Sequence, residues 1–199
     1  MGGEGPVNTE ESMNTTKAEN LEINLHAMRK MTALLECLEK YGYREHSLEV
    51  YLVRMLFCLF ASDAGIFPEG AFPAYLGASR LDGGDLSQRL AALFRVLDTP
   101  VEERGQTDPS LAAFPYVDGK LFAEELPVYP FDGNFAGLLA ECLQVQWRSI
   151  SPAIFGAMFQ EIMNQEKRRE WGTYYTSEEN IEKLIGPLFL DSLREELAA

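Results

Sequence analysis

The residues best suited to holding a ligand lie near the C-terminal end of the sequence, in Gly172-Thr-Tyr-Tyr-Thr-Ser-Glu-Glu-Asn180. Thr176 stands three residues before Glu179, so each side chain can cap a free backbone N–H in the first turn of a helix. Tyr174 and Tyr175 precede this cap and set two aromatic rings beside exposed N–H donors. Such a pairing suits a planar, polar ligand, and it equally suits a well-made helix start. A cationic run, Lys167-Arg168-Arg169, leads into it and can complement a helix dipole or meet a phosphate.

Other chemistry is scarce. Asp108, Asp118 and Lys120 resemble the acidic pair plus lysine of metal-dependent nucleases. That chemistry needs both carboxylates on a metal at the end of a paired strand. Asp118-Gly119 is instead a turn signal, which predicts a short hairpin. His26 and His46 are not spaced as a metal pair, so they are expected at the surface or in a cap and no metal site is expected. The only Gly-x-Gly, Gly3-Glu-Gly5, follows no strand, and no Gly-x-Ser-x-Gly elbow occurs. The residues thus describe a chain without a catalytic constellation.

The elements that position these residues read as helices. With 199 residues, 46% of them hydrophobic, the chain can build one sizeable core. Its net charge of −14 excludes a surface that is a nucleic-acid clamp throughout, because phosphate binding needs a positive field. Cys37, Cys58 and Cys142 have neither zinc spacing nor a disulfide framework, which predicts buried thiols and a reducing compartment. The longest apolar run, Val50 to Ala61, is too short to cross a bilayer, so no membrane partner and a cytoplasmic location are expected.

Residues 1–20 read as a flexible tail. From Leu21, apolar residues at Leu25, Met28, Met31, Leu35 and Leu38 predict an amphipathic helix ending near Tyr41-Gly42. A second helix, capped by Ser47, runs from Leu48 to about Asp63 and is apolar nearly all round, so it should be the centre of the core. Arg54 inside it needs a partner, for which Asp63 or Glu49 is within sequence reach. A short helical piece is expected at Ala71–Leu76, and a third clear helix starts at Asp85 and closes at Thr99-Pro100. Val101 to Phe131 is a long aromatic and Pro-rich loop that should pack down on the helices. Helical pattern returns at about Asn134–Trp147, again after Ser151-Pro152, and after the tyrosine pair. The fold class is therefore all-α, an irregular helical bundle with at most a tiny β-hairpin.

Four stretches carry a family resemblance. Arg54-Met-Leu-Phe-Cys-Leu-Phe-Ala-Ser-Asp-Ala-Gly-Ile-Phe67 resembles the buried helix of large bacterial DNA methyltransferases, the MmeI-like type II restriction-modification enzymes. Phe114-Pro-Tyr-Val-Asp-Gly-Lys-Leu-Phe122 and Trp147-Arg-Ser-Ile-Ser-Pro-Ala-Ile-Phe-Gly156 are similar to the segments that follow in those enzymes. Arg168-Arg-Glu-Trp-Gly-Thr-Tyr-Tyr-Thr-Ser177 resembles the motif that opens the methyltransferase domain of the adenine-N6 class. Ser177 stands where many relatives have proline.

The resemblance implies that Tyr174, Tyr175, Thr176 and Ser177 form one wall of an S-adenosylmethionine pocket. It implies a helical spacer over residues 21–165 and the edge of a methyltransferase domain over 166–199. The family's Asn/Asp-Pro-Pro-aromatic motif holds a flipped adenine, and this sequence contains no Pro-Pro. The expectation is thus a non-catalytic fragment of an adenine-N6 DNA methyltransferase. It would join a nuclease domain to a methyltransferase domain and meet DNA through the parent protein. The alternative is a free-standing helical interaction module whose aromatic loop docks a partner.

Overall fold

The computed structural model describes residues 9–80, 82–105 and 107–150. Among the described residues six α-helices follow one another: α1 (Thr9–Tyr41), α2 (Glu45–Asp63), α3 (Ala71–Gly77), α4 (Leu86–Asp98), α5 (Pro109–Ala112) and α6 (Gly133–Cys142). Two 3₁₀ turns, Val101–Glu103 and Trp147–Ser149, complete the set. No strand occurs among the described residues, and the fold is all-α as expected. No helix among them is long and apolar enough to cross a membrane.

α2 is the hub. Leu48, Tyr51, Leu52, Met55, Leu56, Cys58, Leu59 and Ala61 are buried around its circumference, as the all-round apolar pattern requires. α1 packs against both α2 and α6, while α3 and α4 each pack against α5. The buried stripe of α1 is Ala27, Met28, Met31, Leu34 and Leu38, with Leu25 and Leu35 only half-buried at its edge. The expected face is therefore turned slightly, toward Ala27 and Leu34.

Several boundaries differ from expectation. The α1 helix is described from Thr9 onward. α2 starts three residues before Leu48, with Arg44 as its N-cap. Ser47 is the third helical residue; its hydroxyl donates to the Arg44 carbonyl (2.7 Å) and accepts from the Arg44 N–H (3.3 Å). It caps by reaching back rather than forward. α6 ends at Cys142, not at Trp147, because the Trp147 indole N–H donates to the Cys142 carbonyl (2.8 Å) and folds the chain over the helix end.

The aromatic loop packs down as predicted: Phe114, Phe122 and Phe131 are buried. Its Asp118-Gly119 segment does turn, with positive φ at Gly119 and Lys120, but no hairpin ladder forms. The Val117 N–H bonds instead to the Leu97 carbonyl at the end of α4 (2.8 Å). Asp108 caps the short α5, accepting from the Ser110 N–H (2.8 Å), so it is a structural carboxylate.

Gly83 marks a close approach. Its φ is +70°, and a Cβ there would lie 2.5 Å from the Asp132 carbonyl oxygen. Asp132 in turn caps α6 through the Asn134 N–H (2.8 Å) and accepts from the Tyr41 hydroxyl. One aspartate therefore joins the end of α1, the start of α6 and the approach to α4.

Candidate functional site: a buried arginine where helix meets loop

Arg54 lies in the middle of α2 and is 2% exposed. A buried cation must find donors' counterparts close by. Its hydrogen bonds run to the aromatic loop and not to the two acids nearest in sequence. Its Nε donates to the Leu121 carbonyl (2.9 Å) and its Nη2 to the Glu124 carbonyl (2.7 Å), both in the aromatic loop. The guanidinium carbon also stands 5.4 Å from the Phe94 ring centre and 5.6 Å from that of Phe122. Burial pulls the Arg54 pKa down, and the nearby charges of Glu124 and Asp98 push it back up. Asp63 has a different partner: its carboxylate accepts from the Arg148 N–H (2.9 Å), tying the end of α2 to the last 3₁₀ turn.

A cavity of about 340 Å³ opens beside this arginine. α2 supplies Tyr51 and Arg54, α4 supplies Ser87, Phe94 and Asp98, and the loop closes it with Phe122 and the chain from Ala123 to Val128. Tyr43 also lines it and donates its hydroxyl to the Pro127 carbonyl (2.9 Å). Tyr51 is 3% exposed, and its hydroxyl has no hydrogen-bond partner. Burial pushes its pKa well above the ordinary 10, so it is a neutral phenol near neutral pH. The same effect raises Tyr43 to about 12.

The loop is held at further points by the same device. Arg104 donates to the carbonyls of Thr99 (2.9 Å), Val96 (2.8 Å) and Phe114 (2.7 Å), so one guanidinium binds α4 to the loop's beginning. At its far end Phe131 stacks on Phe135 of α6 with ring centres 3.9 Å apart. His46, exposed at the start of α2, pairs with the Glu124 carboxylate at 2.7 Å. The loop is thus an integral wall of the domain.

None of this is catalytic machinery of the usual kinds. Among the described residues no cluster of His, Cys, Asp or Glu could hold a metal ion. Burial raises the pKa of all three thiols, with Cys142 pushed up to about 12, so none is an activated nucleophile. Cys58 and Cys142 are buried as expected, Cys37 is half-buried, and all three are free. The predicted cofactor residues Tyr174, Tyr175, Thr176 and Ser177 lie outside the described residues, as do Lys167, Arg168 and Arg169. Arg54 was visible in the sequence as a charge in an apolar helix. Tyr51 and Ser87 carried no such signal.

Comparison with known proteins places this architecture. Residues 46–122 match the family model described as MmeI, helicase spacer domain. The chain is 40% identical over 150 residues to DNA methyltransferase A of Bacillus subtilis (strain 168), a match covering 74% of this chain and 17% of that protein. It also superimposes, with a TM-score of 0.65 and 48% identity, on the structure of the Type IIL restriction-modification enzyme MmeI in complex with DNA. That match covers 86% of this chain and 23% of the other. The chain therefore spans under a quarter of the length of either relative. Its helical body is the counterpart of the helical spacer of MmeI-like restriction-modification methyltransferases, and the chain corresponds to a region of such an enzyme.

Proposed function

We propose that this region acts as a non-catalytic connector in an S-adenosylmethionine-dependent, adenine-N6 DNA methyltransferase of restriction-modification type. Residues 21–165 form the spacer between a nuclease and a methyltransferase domain, and 166–199 open the latter. Tyr174, Tyr175, Thr176 and Ser177 supply one wall of the cofactor pocket. DNA is met through the enzyme as a whole, in the cytoplasm.

The observation that carries this reading is the 48% identity to MmeI across 86% of the chain, at a level where more than the general fold is shared. Physical features agree with it. A connector must hold its shape, and here a 19-residue apolar helix is clamped to a long loop by the buried Arg54 guanidinium, while half-buried Arg104 ties the same loop to α4. A surface with a net charge of −14 suits a spacer better than a grip on DNA. The proposed wall has the right chemistry: tyrosine rings cover an adenine, while hydroxyl and backbone N–H groups hold the cofactor's amino-acid end.

The test is cofactor binding by an enzyme carrying this region. Thr176→Ala and Tyr174→Ala should each weaken S-adenosylmethionine binding about tenfold, the worth of one well-made contact. Unchanged affinity in calorimetry would remove these residues from the pocket and leave Thr176 only its capping role. The 199-residue chain alone should transfer no labelled methyl group to DNA, and measurable transfer would refute the connector assignment.

A further inference from the structure

We propose that Asp118-Gly119, at the tip of the aromatic loop, is a site of spontaneous isoaspartate formation, and that the fold confines this backbone modification to one of three Asp-Gly pairs. The pairs are Asp82-Gly83, Asp118-Gly119 and Asp132-Gly133. In this reaction the glycine backbone nitrogen attacks Cγ of the aspartate in its neutral, acid form. An N–C bond forms, and the acid hydroxyl takes the nitrogen's proton and leaves as water. Water then opens the succinimide ring at either carbonyl, one route returning aspartate and the other giving isoaspartate. No reagent besides water enters. Glycine favours the attack because no Cβ shields its nitrogen.

The three pairs differ in what the fold does with the carboxylate and the nitrogen. Asp82 accepts from the Gly84 N–H (2.9 Å) and pairs with the Arg80 guanidinium (3.0 Å). Gly83 is buried and gives its own N–H to the Arg80 carbonyl (2.8 Å). Asp132 caps α6 through the N–H groups of Asn134 (2.8 Å) and Phe135 (3.4 Å), accepts from the Tyr41 hydroxyl, and is followed by the first residue of that helix. Both carboxylates must break charge-assisted bonds before they can reach the next nitrogen. Asp118, Gly119 and Lys120 are instead exposed in a row. Among the described residues no hydrogen bond holds the Gly119 N–H, and a Cβ on Gly119 would meet nothing within 4 Å. The hydroxyl beside Asp118 belongs to Tyr116, itself 40% exposed in the same loop and able to move with it. The turn hangs between two anchors, the Val117 N–H on the Leu97 carbonyl (2.8 Å) and the Leu121 carbonyl on Arg54 (2.9 Å). Between them it can open without unpacking the core. Isoaspartate adds one methylene to the main chain there and lengthens the span between the anchors.

The test is to age the folded 199-residue chain in mildly acidic buffer and map its isoaspartate by mass spectrometry. The three aspartates fall in separate tryptic peptides, and electron-transfer fragmentation tells isoaspartate from aspartate in each. Isoaspartate should build up at Asp118 about tenfold faster than at Asp82 or Asp132, the rate equivalent of one charge-assisted bond that must first break. Short synthetic peptides carrying the same three pairs should isomerise at similar rates, which assigns the difference to the fold. Asp118→Glu should abolish the loop signal and leave the circular dichroism spectrum unchanged, since a six-membered imide closes far more slowly. Equal rates at the three pairs in the folded chain overturn the proposal. An Asp118 that stays intact in the folded chain while its peptide isomerises overturns it too.

Discussion

Replacing Arg54 by methionine tests whether the helix-to-loop clamp holds the domain together. Methionine preserves most of the volume and removes the donors. Two carbonyls, of Leu121 and Glu124, lose charge-assisted partners at 2.9 and 2.7 Å. An abandoned buried acceptor costs about 1–3 kcal/mol. Contacts with the Phe94 and Phe122 rings add roughly 0.5–2 kcal/mol. Two effects act the other way. Methionine carries no charge to desolvate, and water entering the cavity can reach the Glu124 carbonyl. The net loss should be about 2–4 kcal/mol. At roughly 2–4 °C per kcal/mol for a domain of this size, the melting temperature should fall by about 5–15 °C. Urea unfolding followed by tryptophan fluorescence reads the change, since buried Trp147 reports on the core. Hydrogen exchange adds a local signature: amides of 117–126 should lose protection more than those of α1. A variant within about 0.5 kcal/mol of the parent, with the loop still protected, would refute the assignment of Arg54 as the clamp.

Other substitutions probe the junctions around it. Gly83→Ala places a Cβ 2.5 Å from the Asp132 backbone oxygen at a φ of +70°, and backbone cannot move aside cheaply. It should cost more than about 2 kcal/mol in urea unfolding, and a neutral result would mean that the approach of α4 to α6 is looser than described. Asp132 has its pKa depressed below the ordinary 3.8, chiefly by the Tyr41 hydroxyl and then by the N–H groups of Asn134 and Phe135. The unfolded state therefore takes up its proton first as pH falls. The stability this contributes is complete above 3.8 and fades as pH drops through the lower folded value. Asp132→Asn should flatten the acid end of a stability-versus-pH curve, and an unchanged acid limb would show that this cap does not titrate with folding.

The comparison of sequence with structure turns on where each residue finds its partner. The all-round apolar character of α2 and the Leu86, Leu90, Leu93, Leu97 stripe of α4 were legible, because burial follows from local period alone. The burial of Phe114, Phe122 and Phe131 was legible as well, since exposed aromatics in a long loop are unfavourable. Helix ends were less legible. Ser47 and Trp147 act through bonds whose geometry depends on how the chain turns, so α2 begins earlier and α6 ends sooner than the pattern suggests.

By itself, then, the sequence determined the helical class, the central helix, the need of Arg54 for a partner and the kinship with MmeI-like enzymes. Periodicity and motif order are properties of the chain read along its length. Only the tertiary structure decided that Arg54 is answered by carbonyls 67 and 70 residues away rather than by Asp63 or Glu49. It likewise decided that Tyr51 is left unanswered beside it. Backbone carbonyls are the same in every residue, so no side-chain pattern can announce which of them will turn inward to meet a buried charge.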